Sequence, residues 1–176
     1  MKPWKAKDHV ESNPVQLPKE TASKLLPQLD RHLASLFVLF HQYQKHHWLV
    51  EGPQFHDLHL VLGEYYDEVH KQVDAVAERI TALGGIPTSG PAELARLSYV
   101  QHEPEGAFRI RQMLELDRAH EGTIAAELRK TIRQAFELGD FGTETLLRRA
   151  LVEVEDRAHH LDHFLGGDSL EAGREH

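Results

Sequence analysis

The chain has 176 residues, a formal charge of −8 with histidine neutral, fourteen histidines and no cysteine. Its length suits one domain with a substantial core, and the missing thiols exclude a disulfide framework or thiolate metal centre, leaving imidazole and carboxylate as metal ligands. The acidic balance disfavours broad attraction to nucleic acid, and with neither a secretory h-region nor a run of membrane-spanning length the expectation is a soluble, cytoplasmic protein without a membrane partner.

Residues 1–22 hold Pro3, Pro14 and Pro18 without apolar periodicity and read as a flexible tail. Apolar positions then recur at Leu29, Leu33, Leu36, Phe37 and Phe40, which predicts an amphipathic helix from about Ser23 to about Trp48, with Pro27 tolerated near its first turn. Glu51-Gly52-Pro53 breaks it. A second stripe runs from Phe55 through Leu58, Leu62, Tyr65, Val69, Val73, Val76 and Ile80 to Leu83, and stops at Gly84-Gly85. Residues 86–104 form a long crossover in which Ala92 to Leu97 can make a turn or two of helix. A third helix follows from Ile110 to Phe136, and a fourth carries Leu147, Leu151, Val154, Ala158, Leu161 and Leu165 before Gly166-Gly167. Two helical hairpins joined by one long connection predict an all-α, ferritin-like four-helix bundle over residues 23–166, followed by a C-terminal tail, 167–176.

Bundles of this class often hold two metals in their core, using a Glu from each of two helices and an acid-x-x-His pair from each of the others. Asp67-x-x-His70, Asp117-x-x-His120 and Asp156-x-x-His159 have that spacing, yet Arg31 to Val50 contains no acid, so an intrabundle site lacks a ligand. Those pairs then read as solvated or structural polar positions.

A second constellation lies around HHWLVEGPQFHDLH, residues 46–59. His47 closes the first helix, His59 opens the second, and Asp74 and Glu78 stand four apart on one face of the second helix. Two imidazoles and two carboxylates suit Fe(II) or Zn(II). They cannot meet within one chain, because the fifteen residues from His59 to Asp74 span about 22 Å of helix. Antiparallel pairing across a two-fold axis would bring the histidine end of one helix to the acid end of its mate, making two equivalent sites. The alternative is that the acids pair with Lys71 and Arg79 and the histidines are caps or surface groups.

The stretch His47-Trp48-Leu49-Val50-x-Gly52-x-x-Phe55-x-x-x-His59, followed by Asp74-x-x-x-Glu78-Arg79, resembles the signature of the Dps family, the DNA-binding proteins from starved cells. Among them it is most similar to the DpsA subgroup of cyanobacteria and halophilic archaea, sharing the KHHW start, the LHLxLGE continuation and the AHHxxHxL-like end. The likeness covers about residues 30–165. It implies a hollow homo-dodecamer of tetrahedral symmetry that oxidises Fe(II) at ferroxidase sites in its dimer interfaces and stores ferric oxide inside. His47 and His59 would then come from one subunit and Asp74 and Glu78 from its two-fold mate, with Trp48 packed beside them. Peroxide or dioxygen would be the oxidant, two Fe(II) ions reducing peroxide together without releasing hydroxyl radical.

One departure matters: where most members carry Asp four residues after the second histidine, this chain has Gly63. Glu64, Asp67 or a histidine of the last helix are candidate substitutes, and zinc occupancy becomes an option. His160 and His163, sharing a face with Asp156, are candidates for an accessory metal site or a favourable helix C-terminal charge alongside His159; His41, His46 and His56 pose the same question. Asp140 and Glu144 fall where the family lines three-fold pores with acids, although Glu144 also suits a first helical turn. Two other functions stay open. A metal-buffering cage without catalysis follows from Gly63. A DNA-binding nucleoid protein is disfavoured, because Lys2, Lys5, Lys7 and Lys19 are offset by Asp8, Glu11 and Glu20.

Overall fold

The computed structural model describes residues 3–167. Five helices follow in order: α1 (Lys19–Leu49), α2 (Phe55–Ala82), α3 (Pro91–Leu97), α4 (Ile110–Glu137) and α5 (Phe141–Leu165). α1 packs on α2 and α4 on α5, the two hairpins close through α1 against α4 and α2 against α5, and the short α3 lies on α1. No strand occurs among the described residues. The core is built from the predicted stripes, with Leu29, Leu33 and Leu36 of α1 meeting Leu62, Val69, Val76 and Ile80 of α2. Ile124, Leu128 and Ile132 of α4 and Leu147, Val154 and Leu161 of α5 complete it. Each such side chain removed from water stabilises the bundle by about 1.5–3 kcal/mol.

α1 starts four residues before the expected Ser23. Thr21 and Ala22 already donate to the Pro18 carbonyl, at 2.9 and 3.0 Å. Pro27 therefore sits two turns inside the helix rather than in its first turn. The missing N–H there is outweighed by burial of Ala22, Leu25, Leu26 and Leu29 around it.

The segment expected as a flexible tail is docked. Glu11 N–H donates to Gly84 O (3.1 Å), Lys7 pairs with Asp30 (2.9 Å), and Val10 and Leu17 pack against the core. Asn13 closes a loop on itself, accepting from Leu17 N–H (2.9 Å) and donating to Leu17 O (2.8 Å). This approach needs glycine at the end of α2: Gly84 has φ +82°, and a Cβ there would stand 2.5 Å from Glu11 O. Of the expected C-terminal tail, residues 168–176 lie outside the described residues.

The crossover is stitched to polar positions of α1. Asp30 accepts from Thr88 N–H (2.8 Å) and Thr88 Oγ1 (2.7 Å), His32 is hydrogen-bonded to the hydroxyls of Tyr99 and Thr131 (2.7 Å each), and Gln42 accepts from Glu103 N–H (3.0 Å). These bonds let α1 bury polar side chains on the face that the long connection covers.

Candidate metal centre

Burial decides first what the bundle interior can hold. Arg157 of α5 is fully buried and donates from Nε to Glu121 Oε1 (2.6 Å) and from Nη2 to Glu121 Oε2 (3.2 Å). Tyr43 donates to the same Glu121 Oε1 at 2.6 Å, and Gln72 and Glu68 each accept from the guanidinium at 3.3 Å. A permanent cation thus occupies the interior where ferritin-like di-iron proteins gather carboxylates. Beside it, His46 donates from Nδ1 to Asp117 Oδ2 (2.7 Å) and faces Glu103 Oε2 at 3.2 Å. Burial pushes the Asp117 carboxyl up to about 6. Burial opposes the charged form of His46, but the bonds to Asp117 and Glu103 win and raise its pKa. His120 is held down to about 4, by burial and then by the nearby His46 charge.

The interior therefore contains a charge-paired network rather than an open ligand set, and of the three acid-x-x-His pairs only Asp117 and His120 are buried. Reading α1 for acids could not reveal this network, which joins Tyr43 and His46 of α1 to Asp117 and Glu121 of α4 and Arg157 of α5. The clue available was Tyr43 and Arg157 at core-facing positions of their helices.

His47 and His59 come together across the α1–α2 turn. His47 Nδ1 donates to His59 O at 2.7 Å, and His59 Nδ1 donates to His47 O at 2.9 Å. A carbonyl can only accept, so both Nδ1 atoms carry the proton and both Nε2 lone pairs are left available in the neutral rings. A ligating imidazole is commonly oriented in this way, through a hydrogen bond from the nitrogen that it does not use. The rings stack at a centroid distance of 3.7 Å and 21°, with Phe55 stacked on His59 at 5.0 Å and the edge of Tyr66 on His47 at 5.3 Å. Trp48, expected to pack beside them, is exposed in the isolated chain.

Gly63 makes room for this stack, because a Cβ there would stand 3.3 Å from both Cε1 and Nδ1 of His47. The proposed substitutes do not replace the missing carboxylate within the chain. Glu64 points about 140° round the helix from His59, and Asp67 lies about 12 Å further along it.

Asp74 and Glu78 are exposed on α2, on the same face as His59 and well separated from it. Neither forms an ion pair among the described residues. Arg79, the alternative partner, instead donates to Thr143 Oγ1 (2.9 Å) and Asp140 Oδ1 (2.5 Å). No three ligating side chains converge within one chain among the described residues.

Asp140, expected to line a pore, is engaged within the chain. It caps α5, accepting from Thr143 N–H (2.9 Å) and Thr143 Oγ1 (2.5 Å) as well as from Arg79, and is buried. Glu144 is half-buried and paired with Arg148 at 2.6 Å. On α5, His160 and His163 line one cleft with Val61, Tyr65 and Phe164, and His163 is also paired with His159.

The described helices include none long and apolar enough to cross a membrane. Residues 26–170 match the model of the ferritin-like domain family. The chain is 40% identical over 159 residues to the DNA protection during starvation protein of Halobacterium salinarum, covering 90% of this chain and 87% of that one. It is equally 40% identical, over 164 residues, to the nutrient stress-induced DNA-binding protein of a Nostoc species, covering 93% of this chain and 89% of the relative. The crystal structure of the archaeal Dps homologue from Halobacterium salinarum superposes with a TM-score of 0.93 at 38% identity, covering 97% of this chain and 95% of that one. Helix order, bundle closure and these likenesses agree, and the chain belongs to the Dps branch of the ferritin-like family.

Proposed function

We propose that this chain is a mini-ferritin that binds Fe(II), oxidises it with hydrogen peroxide at sites shared between two subunits, and stores the ferric product inside a hollow dodecamer. The observation that carries the reading is the reciprocal bonding of His47 and His59, which leaves two Nε2 donors side by side on a face that also bears Asp74 and Glu78. Antiparallel apposition of two α2 helices joins each histidine pair to the acids of the mate. Exposed Trp48, Phe55, Phe136 and Phe141 supply apolar area that a separate monomer would leave in water, consistent with assembly.

Two imidazoles and two carboxylates fit Fe(II), which enters as substrate. Two Fe(II) ions give one electron each to one peroxide, and with two protons the products are two Fe(III) and two waters. His47 and His59 hold their lone pairs at fixed positions, Asp74 and Glu78 lower the charge of the site, and the neighbouring aromatic rings limit water access. Without a carboxylate at position 63 the second iron is bound less firmly than the first, which keeps a buffering role in view as the second reading.

Direct DNA binding is the weaker fit. Lys5 and Lys7 of the N-terminal segment are already paired with Glu11 and Asp30, each at 2.9 Å, and the chain is acidic overall. The test is stopped-flow oxidation of Fe(II) by peroxide in the assembled protein. His47→Ala and His59→Ala should each slow the fast phase by about a hundredfold. Iron binding with no fast phase in the unaltered protein would leave the buffering cage.

A further inference from the structure

His159 and His163 lie one turn apart on the exposed face of α5, in its last two turns. Their Nε2 atoms are 3.2 Å from one another, with the rings nearly perpendicular at 88° and a centroid distance of 4.4 Å. Two nitrogens bound about 2.0–2.1 Å from a tetrahedral Zn(II) stand about 3.3 Å apart. The observed separation is therefore that of a two-nitrogen chelate. We propose that His159 and His163 form a second metal site, one per chain, for a borderline divalent transition cation.

The surroundings favour nitrogen donation over a hard-cation site. Asp162 is paired with Arg118, and Glu155 accepts from Arg129 at 2.5 Å, so two acids of the same turns are already engaged by guanidinium groups. Two imidazoles without a committed carboxylate select Zn(II), Ni(II), Cu(II) or Fe(II) over Mg(II) and Ca(II). The C-terminal end of α5 adds the negative end of the helix dipole beneath a positive ion. Without metal, the same geometry is an Nε2–H···Nε2 hydrogen bond; on binding, the donor ring passes to its Nδ1–H tautomer, so that both neutral imidazoles present an Nε2 lone pair. The site shares no residue with His47 and His59, so it stands whether or not those residues serve iron oxidation.

Zn(II) is the suitable probe because it undergoes no redox change. The full chain carrying His47→Ala and His59→Ala would be titrated with Zn(II) against a chromogenic chelator, after sizing shows that its assembly matches the unaltered protein. One Zn(II) per chain should bind in this background, and His159→Gln or His163→Gln should each weaken that binding by about tenfold or more. His160→Gln, altering an exposed neighbour outside the pair, should leave it within about twofold. Equal Zn(II) affinity in the His159→Gln, His163→Gln and parent proteins would overturn the chelate and leave the contact as a hydrogen bond. Equal weakening by His160→Gln would likewise overturn it, showing a diffuse histidine surface.

Discussion

Arg157 of α5 buries its guanidinium among α1, α2 and α4 with Glu121 as its principal counter-ion. Such a pair adds little net stability over apolar side chains, but removing one partner strands the other. Arg157→Met should therefore lower unfolding free energy by about 3–5 kcal/mol in chemical denaturation, and adding Glu121→Gln should recover part of the loss. Equal losses in the single and double variants would show that Glu121 does not depend on the arginine. His32 and His120 set the acid limit. Burial is the main cause in both, and each is held down to about 4. Unfolded histidine takes a proton near pH 6.5, whereas these buried rings refuse it until about pH 4. The stability they contribute is thus present above pH 6.5 and lost as pH falls through that window, by up to roughly 3 kcal/mol each. His32→Gln should reduce the slope of unfolding free energy against pH between about 6 and 4.5 by nearly one proton. An unchanged slope would mean that His32 titrates normally in the fold.

At the scale of helices, α2 carries the proposed ligands on one edge and the core on the other. Gly63 sits where those roles meet, with His47 lying against it. Gly63→Asp restores a carboxylate beside His47 at the cost of moving that ring a few tenths of an ångström. Anaerobic Fe(II) titration should then show more iron bound tightly per chain; an unaltered stoichiometry would mean that position 63 does not limit the second iron. The α2 stripe was legible because apolar steps of three and four residues recur without interruption from Phe55 to Leu83. The start of α1 was obscured by Pro27, which burial overrides. The docked N-terminal segment left no periodic trace, since Asn13, Gly84 and Lys7 secure it through single contacts between distant residues. His47 and His59 could be named from sequence, but their crossed Nδ1 bonds depend on how the Gly52-Pro53 turn aligns two backbones. The Arg157 network and the Asp140 cap were hidden for a related reason: a polar residue alone in sequence does not announce which distant group will satisfy it.

The whole molecule is unfinished as a single chain: two imidazoles stand at one end of α2, two carboxylates at the other, and about 22 Å of helix keeps them apart. Only a second copy can join them, which makes assembly a condition of the proposed reaction. Sizing should give a particle of about twelve chains, and dissociated subunits should lose fast iron oxidation together with the shared sites. The most direct measurement uses His59→Ala and Glu78→Ala proteins, each expected to be inactive alone. After dissociation, mixing and reassembly, a dimer containing one of each has one site lacking both ligands and one intact site. Random pairing leaves about one quarter of all sites intact, so the mixture should recover about that fraction of the parent's fast Fe(II) oxidation. Reassembled particles shown by mass spectrometry to contain mixed dimers, yet oxidising iron no faster than the separate variants, would contradict the shared site.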